Sequence, residues 1–211
     1  MNGKNDALMW LEKKRFAFAR VKNLIALMIM LGLGTACTLS RLLEPGIALT
    51  SIWLLAVLMY SNKAVNSFYD AALKPVLCMK RDMRQVISCK LFYPTVFLMT
   101  YPILQAIVVI PVMLFHNRFD PKLVLRAMLC LAETPVIFGG VTVISLSVKE
   151  GFRALLIVAV ILSVNVLLMT ERLSISVCGV EVLFFTAFFS VTRFLSSKLT
   201  VEDIFTNGGR R

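Results

Sequence analysis

Glu133 sits in "LAETPVIFGG", about ten residues into a long apolar run. A carboxylate at that depth is costly unless it is paired, neutral or turned to a cavity. Two roles fit it: a site for a substrate or a proton, or a protonated or bonded glutamate that holds helices together. Thr134 and Pro135 follow directly. Pro135 has no N–H, so it frees the carbonyl of Leu131 and is able to kink the helix beside the acid. Arg126 lies two turns earlier on the same helical face, beyond a simple i,i+4 pair but within approach of a long side chain. His116 is the single histidine. An imidazole can serve as an axial metal ligand, or simply as a polar residue where an apolar run ends. The five cysteines form no Cys-x-x-Cys pair, so they show no zinc pattern and read as free thiols and small hydrophobes. Gly139 and Gly140 would let a neighbouring helix approach closely, or act as a hinge.

The elements that must position these residues are apolar helices. The chain has 211 residues, 58% of them hydrophobic, with a mean hydropathy of +0.81. A soluble domain is nearer 45–50% apolar, and here the surplus lies in long uncharged runs. About 20 apolar residues cross about 30 Å of hydrocarbon as a helix. Six such segments are expected: Leu24–Leu39, extending to Leu43 if Arg41 snorkels; Pro45–Ser61; Leu91–Phe115; Val124–Val148; Phe152–Met169; and Ile175–Leu195. The predicted fold is all-α, a polytopic membrane bundle of six helices in one domain (24–195). A basic segment (1–23) precedes it and a short tail (196–211) follows. The opening "LIALMIMLGLGTAC" mimics a signal peptide, but the apolar runs after it favour a retained helix.

Net charge is +11, and the basic residues gather at the ends of the apolar runs rather than in a nucleic-acid-binding stripe. Of the 23 lysines and arginines, eighteen fall on one side of the alternating loops and five on the other. The positive-inside rule then puts both termini and the 62–90 stretch in the cytoplasm. That stretch, "NKAVNSFYDAALKPVLCMKRDMRQVISCK", is amphipathic. Phe68, Ala72, Val76, Met79 and Met83 form an apolar stripe. Asp70, Lys74, Arg81 and Arg84 sit roughly opposite, and Pro75 breaks the helix. Such a segment either lies in the lipid interface or docks into a groove on a partner. No phosphate-cradling G-x-x-x-x-G-K-[ST] occurs, so the chain is not expected to bind ATP or to be an enzyme by itself.

Four stretches resemble the haem exporter protein B family (CcmB), the permease subunit of the cytochrome c maturation transporter. "LLEPGIALTSIWLLAVL" matches at Pro45, Gly46 and Trp53, and "YDAALKPVL" at Asp70 and Leu73. "VISCK" matches at Lys90, with "YP" at 101–102 close to the family's next proline. "TPVIFGG" and "ISLSVKEGFRALL" match at Thr134, Pro135, Lys149 and Gly151. The likeness runs in order over roughly 41–169. The family's loop glycine is Ala71 here, and a glycine before its Thr-Pro is Glu133. The resemblance implies the permease fold of type-2 ATP-binding-cassette exporters in a bacterial inner membrane. It implies no cofactor bound by this chain, haem as the cargo, and ATP used by a separate ATPase subunit. It also implies other cytochrome c maturation membrane proteins, and a second copy of the permease, as partners. The 62–90 stretch becomes the ATPase-coupling segment, with Phe68, Leu73 and Val76 as anchors and Asp70, Lys74 and Arg81 as the rim.

Overall fold

In the computed structural model of the protein, residues 3–40, 44–69, 83–119, 121–147 and 175–199 are described. They form six α-helices and no strand. These are α1 (Gly3–Phe18), α2 (Arg20–Leu39), α3 (Pro45–Phe68), α4 (Met83–Phe115), α5 (Pro121–Ser147) and α6 (Ile175–Lys198). Four of them, α2 to α5, are long and apolar enough to cross a membrane. The sixth expected span coincides with α6, while the fifth (152–169) lies outside the described residues.

The basic segment before the first span is itself helical. α1 passes into α2 through Ala19 alone, whose N–H still reaches the Arg15 carbonyl at 3.3 Å. α2 therefore starts at Arg20 and is 20 residues long without any extension to Leu43. The first span gains its length at the N-terminal end, opposite to where the sequence pattern places it. Pro45 opens α3 at its first turn, where a missing N–H costs nothing. α4 ends in a Schellman motif. Asn117 sits in the left-handed region at φ 52°, the Arg118 N–H bonds the Met113 carbonyl at 2.8 Å, and the Asn117 N–H bonds the Leu114 carbonyl. That turn sends the chain straight back into α5.

The 62–90 stretch is helical at both ends. α3 runs on to Phe68 and α4 begins at Met83, so 69–82 stands between them, of which 70–82 lies outside the described residues. α4 has 33 residues, roughly 50 Å of helix, against about 30 Å of hydrocarbon. It keeps Pro94, Pro102 and Pro111 inside a continuous helix, as membrane helices tolerate when neighbours re-satisfy the backbone.

α5 is the axis of the bundle. It packs against α3, α4 and α6, while α2 lies on α3 and α4, and α1 on α4. Gly140 is where α6 meets it: a Cβ there would collide with the ring of Phe188 and come within 2.9 Å of Thr192. Trp53, Phe68, Leu98, Tyr101 and Phe138 are fully buried. The outside is apolar: Leu24, Ile25, Met28, Ile29 and Leu33 on α2 and Phe92, Val96, Ile103 and Ile107 on α4 are all exposed. The inside holds Thr50, Ser61, Gln105, Arg126, Glu133, Thr134, Thr142 and Ser145. Water would select the reverse arrangement. An apolar exterior around a partly polar, closely packed interior is consistent with a membrane protein.

Candidate functional site

The polar interior converges where α2, α3, α4 and α5 meet. On α5, Arg126, Cys130, Glu133 and Thr134 share one buried face, at most 7% exposed. Their spacing of four, three and one residues is that of a single helical stripe. Glu133 is near the middle of the helix, and both it and Arg126 are engaged by neighbouring groups. The Cys130 thiol lies between them, within electrostatic reach of both and beside Thr50 of α3.

Thr134 is a junction. Its hydroxyl donates to the Cys130 carbonyl at 2.6 Å and accepts the indole N–H of Trp53 at 3.1 Å. Both residues are completely buried. The bond fixes the rotation of α5 against α3, because an indole has one donor and it points one way. About a turn before Trp53 on α3, Thr50 donates to the Gly46 carbonyl at 2.8 Å, and Gly46 lies against the aliphatic stem of Arg126.

α4 supplies Tyr101 and Gln105, one helical turn apart and both at most 1% exposed. The Tyr101 hydroxyl stands near Cys130 and Cys37. Gln105 lies against Gly34 of α2, where an added Cβ would come within 2.5 Å of its amide nitrogen. The carboxamide fills the space that a side chain at 34 would take. Among the described residues, the Tyr101 hydroxyl and Gln105 Oε1 have no hydrogen-bond partner. A buried polar atom without a partner costs free energy, so both keep hydrogen-bonding capacity to spare.

No protein family, curated protein or solved structure matches this chain.

The structure brings Glu133 and Thr134 into one cluster. Pro135 sits on the same turn but faces outward. His116 is exposed just past α4, its ring edge-on to Phe115 at 5.5 Å, and no metal-ligating group of three or more residues occurs among the described residues. Of the expected coupling anchors, Phe68 is 0% exposed and packed in the core at the end of α3 beneath Lys90. Asp70, Leu73, Lys74, Val76 and Arg81 lie outside the described residues. Sequence reasoning misses Tyr101, Gln105 and the bonding role of Trp53. Gln105 carries a signal, since it is the single carboxamide in the apolar run 91–115, and such residues face the bundle interior.

The Trp53–Thr134 bond leads to a measurable outcome. Trp53→Phe keeps the ring packing and removes the donor, and should cost about 0.6–1.7 kcal/mol, the range of hydrogen bonds between membrane helices. Thr134→Val should cost a similar amount. In equilibrium unfolding in mixed micelles, the double variant should lose clearly less than the two single losses together, because one bond is removed twice. Strict additivity would show that the bond contributes nothing.

Proposed function

We propose that this chain is the membrane-spanning permease subunit of an ATP-binding-cassette transporter. It serves the delivery of haem to the outer face of a bacterial inner membrane during c-type cytochrome assembly. Six helices cross the membrane, with both termini and the α3–α4 connection in the cytoplasm. A separate ATPase subunit supplies the energy.

The observation that carries this reading is the contact between Trp53 and Thr134. They belong to two different stretches of the resemblance to haem exporter protein B, stand 81 positions apart, and meet in a buried hydrogen bond. Residues that match by chance have no reason to touch. Lys90, a third matching residue, closes the base of α3 by bonding Ser67. The eighteen-to-five division of basic residues supports the orientation.

Mechanically, α3 and α4 act as levers. Both run past the apolar zone towards 70–82, and Lys90 ties them together at that end. Closure of the ATPase subunits on the connection moves the two helices as a pair. The Trp53–Thr134 bond passes that motion to α5, and so to Glu133. The seam of Glu133, Gln105 and Tyr101 is the polar path that this motion opens or closes.

Two experiments test the reading. The chain should co-purify with an ATPase subunit, and its depletion should abolish mature c-type cytochromes. Normal cytochromes on depletion would leave a permease for another cargo, such as a lipid or drug. Failure to recover any ATPase would leave an assembly scaffold. Glu133→Gln should accumulate to wild-type level yet lower cytochrome maturation. Unchanged maturation would make Glu133 a structural, protonated residue.

A further inference from the structure

A second polar site lies away from the seam, at the end of the bundle where α1, the last turns of α3 and the first third of α4 meet. A cavity of about 150 Å³ opens there, lined among others by Glu12, Arg15, Tyr60, Lys63, Lys90 and Tyr93. That is the volume of about five water molecules, enough for one compact ionic group.

Its charge is unbalanced. Three basic side chains face one carboxylate. Arg15 and Glu12 stand 3.9 Å apart on α1 and offset each other. Lys90 directs its ammonium to the Ser67 carbonyl at 2.7 Å and the Ser67 hydroxyl at 2.9 Å. Lys63 is exposed, with only a 3.5 Å contact to Asn23 Oδ1 and the Tyr60 ring 5.5 Å away. The cavity therefore presents net positive charge, and Lys63 is the cation best placed to meet a ligand.

Its walls are aromatic. Phe16 packs against Tyr93 and Phe97 at 6.3 and 5.8 Å, and Tyr60 against Phe97 at 5.2 Å. Lys63 also ends an exposed stripe on α3: Leu55, Met59 and Lys63 follow at intervals of four, the first two 54% and 65% exposed. One face of a helix thus runs from bare hydrocarbon to a cation at the mouth of a basic cavity. An acidic lipid has the complementary order, with a phosphate at one end and an acyl chain at the other. A free anion would have no use for the stripe.

We infer that this cavity binds the phosphate headgroup of an anionic membrane lipid, with Lys63 as the principal contact and an acyl chain lying along Met59 and Leu55. Basic pockets between membrane helices select acidic headgroups in this way. The inference rests on the chain lying in a membrane and not on its cargo or its ATPase.

The test uses the full-length protein in detergent, with native mass spectrometry counting retained lipid. Phosphatidylglycerol should be retained at least tenfold better than phosphatidylcholine and should raise the thermal midpoint, with retention falling as salt is added. Lys63→Glu, at an exposed position, should remove that preference, and Lys63→Arg should keep it. Lys13→Glu makes the same charge change on the exposed face of α1, outside the cavity, and should leave retention unchanged. Equal retention of the two lipids, or full retention by Lys63→Glu, would overturn the inference. So would an equal loss in Lys13→Glu, which would mean diffuse attraction to a basic surface. Inorganic phosphate at the lipid's concentration should give no shift of the midpoint; a shift equal to the lipid's would overturn the lipid as the ligand.

Discussion

Phe68→Ala should destabilise the bundle by about 3–5 kcal/mol, the usual loss for a large aromatic truncated in a closed core. The ring is 0% exposed and belongs to the main cluster of buried residues. It also carries the Lys90 ammonium 4.3 Å above its centre. Truncation therefore leaves a void and removes a cation–π contact from a desolvated position. Phe68→Leu refills most of the void and should lose clearly less. Equilibrium unfolding in mixed micelles reads both. A Phe68→Ala chain as stable as the parent would mean that the ring does not hold α3 in place, and would return it to the role of an exposed anchor for the ATPase. With the ring packed in the core, loss of the ATPase in a Phe68 variant reports unfolding of the base of α3. Docking itself has to be tested at Leu73 or Val76.

Phe68 also shows where sequence reasoning reaches and where it stops. The apolar runs locate α2 to α5, because lipid-length hydrophobicity is a strong signal. They misplace the ends, because hydropathy falls at the first polar residue while the helix continues. Asn62, Lys63, Asn66 and Ser67 are all acceptable in a helix that has left the hydrocarbon, so α3 runs seven residues past the expected end at Ser61. The sequence pattern therefore puts Phe68 on the apolar stripe of a cytoplasmic amphipathic segment, and the structure puts it in the core at the end of α3.

Glu133 and Thr134 are legible as a buried site for a simpler reason: a charge inside an apolar run turns inward. Tyr101 is not legible. Where the exterior is lipid, both faces of α4 are apolar and the inward one is not marked by periodicity. The partners Gly34 and Gln105, far apart in the chain, meet where the glycine leaves room on α2. No pattern within either helix announces that meeting.

The sequence pattern makes Lys90 one of six basic residues on a cytoplasmic loop, and in the structure it is a buried tether. It is 3% exposed and holds the Ser67 carbonyl and hydroxyl. Ser67 lies in the last turn of α3, where carbonyls have no intrahelical donor. A cation there also suits the negative end of the helix dipole. Lys90→Met keeps the length and apolar volume of the side chain and removes the ammonium. The variant should lose about 1.5–3 kcal/mol, the range for a hydrogen bond to a charged group, and part of the cation–π contact with Phe68 goes with it. Lys63→Met, at an exposed site of the same cavity, should stay within about 0.5 kcal/mol of the parent. A double-mutant cycle of Lys90→Met with Phe68→Leu should show coupling of about 1 kcal/mol, because the ammonium and the ring are in direct contact. If Lys90→Met unfolds as the parent does, the tether contributes nothing, and α3 and α4 are not joined at the end where a partner would pull. If the loss appears without coupling to Phe68, the bonds to Ser67 alone hold the two helices together, and the ring serves only to fill space.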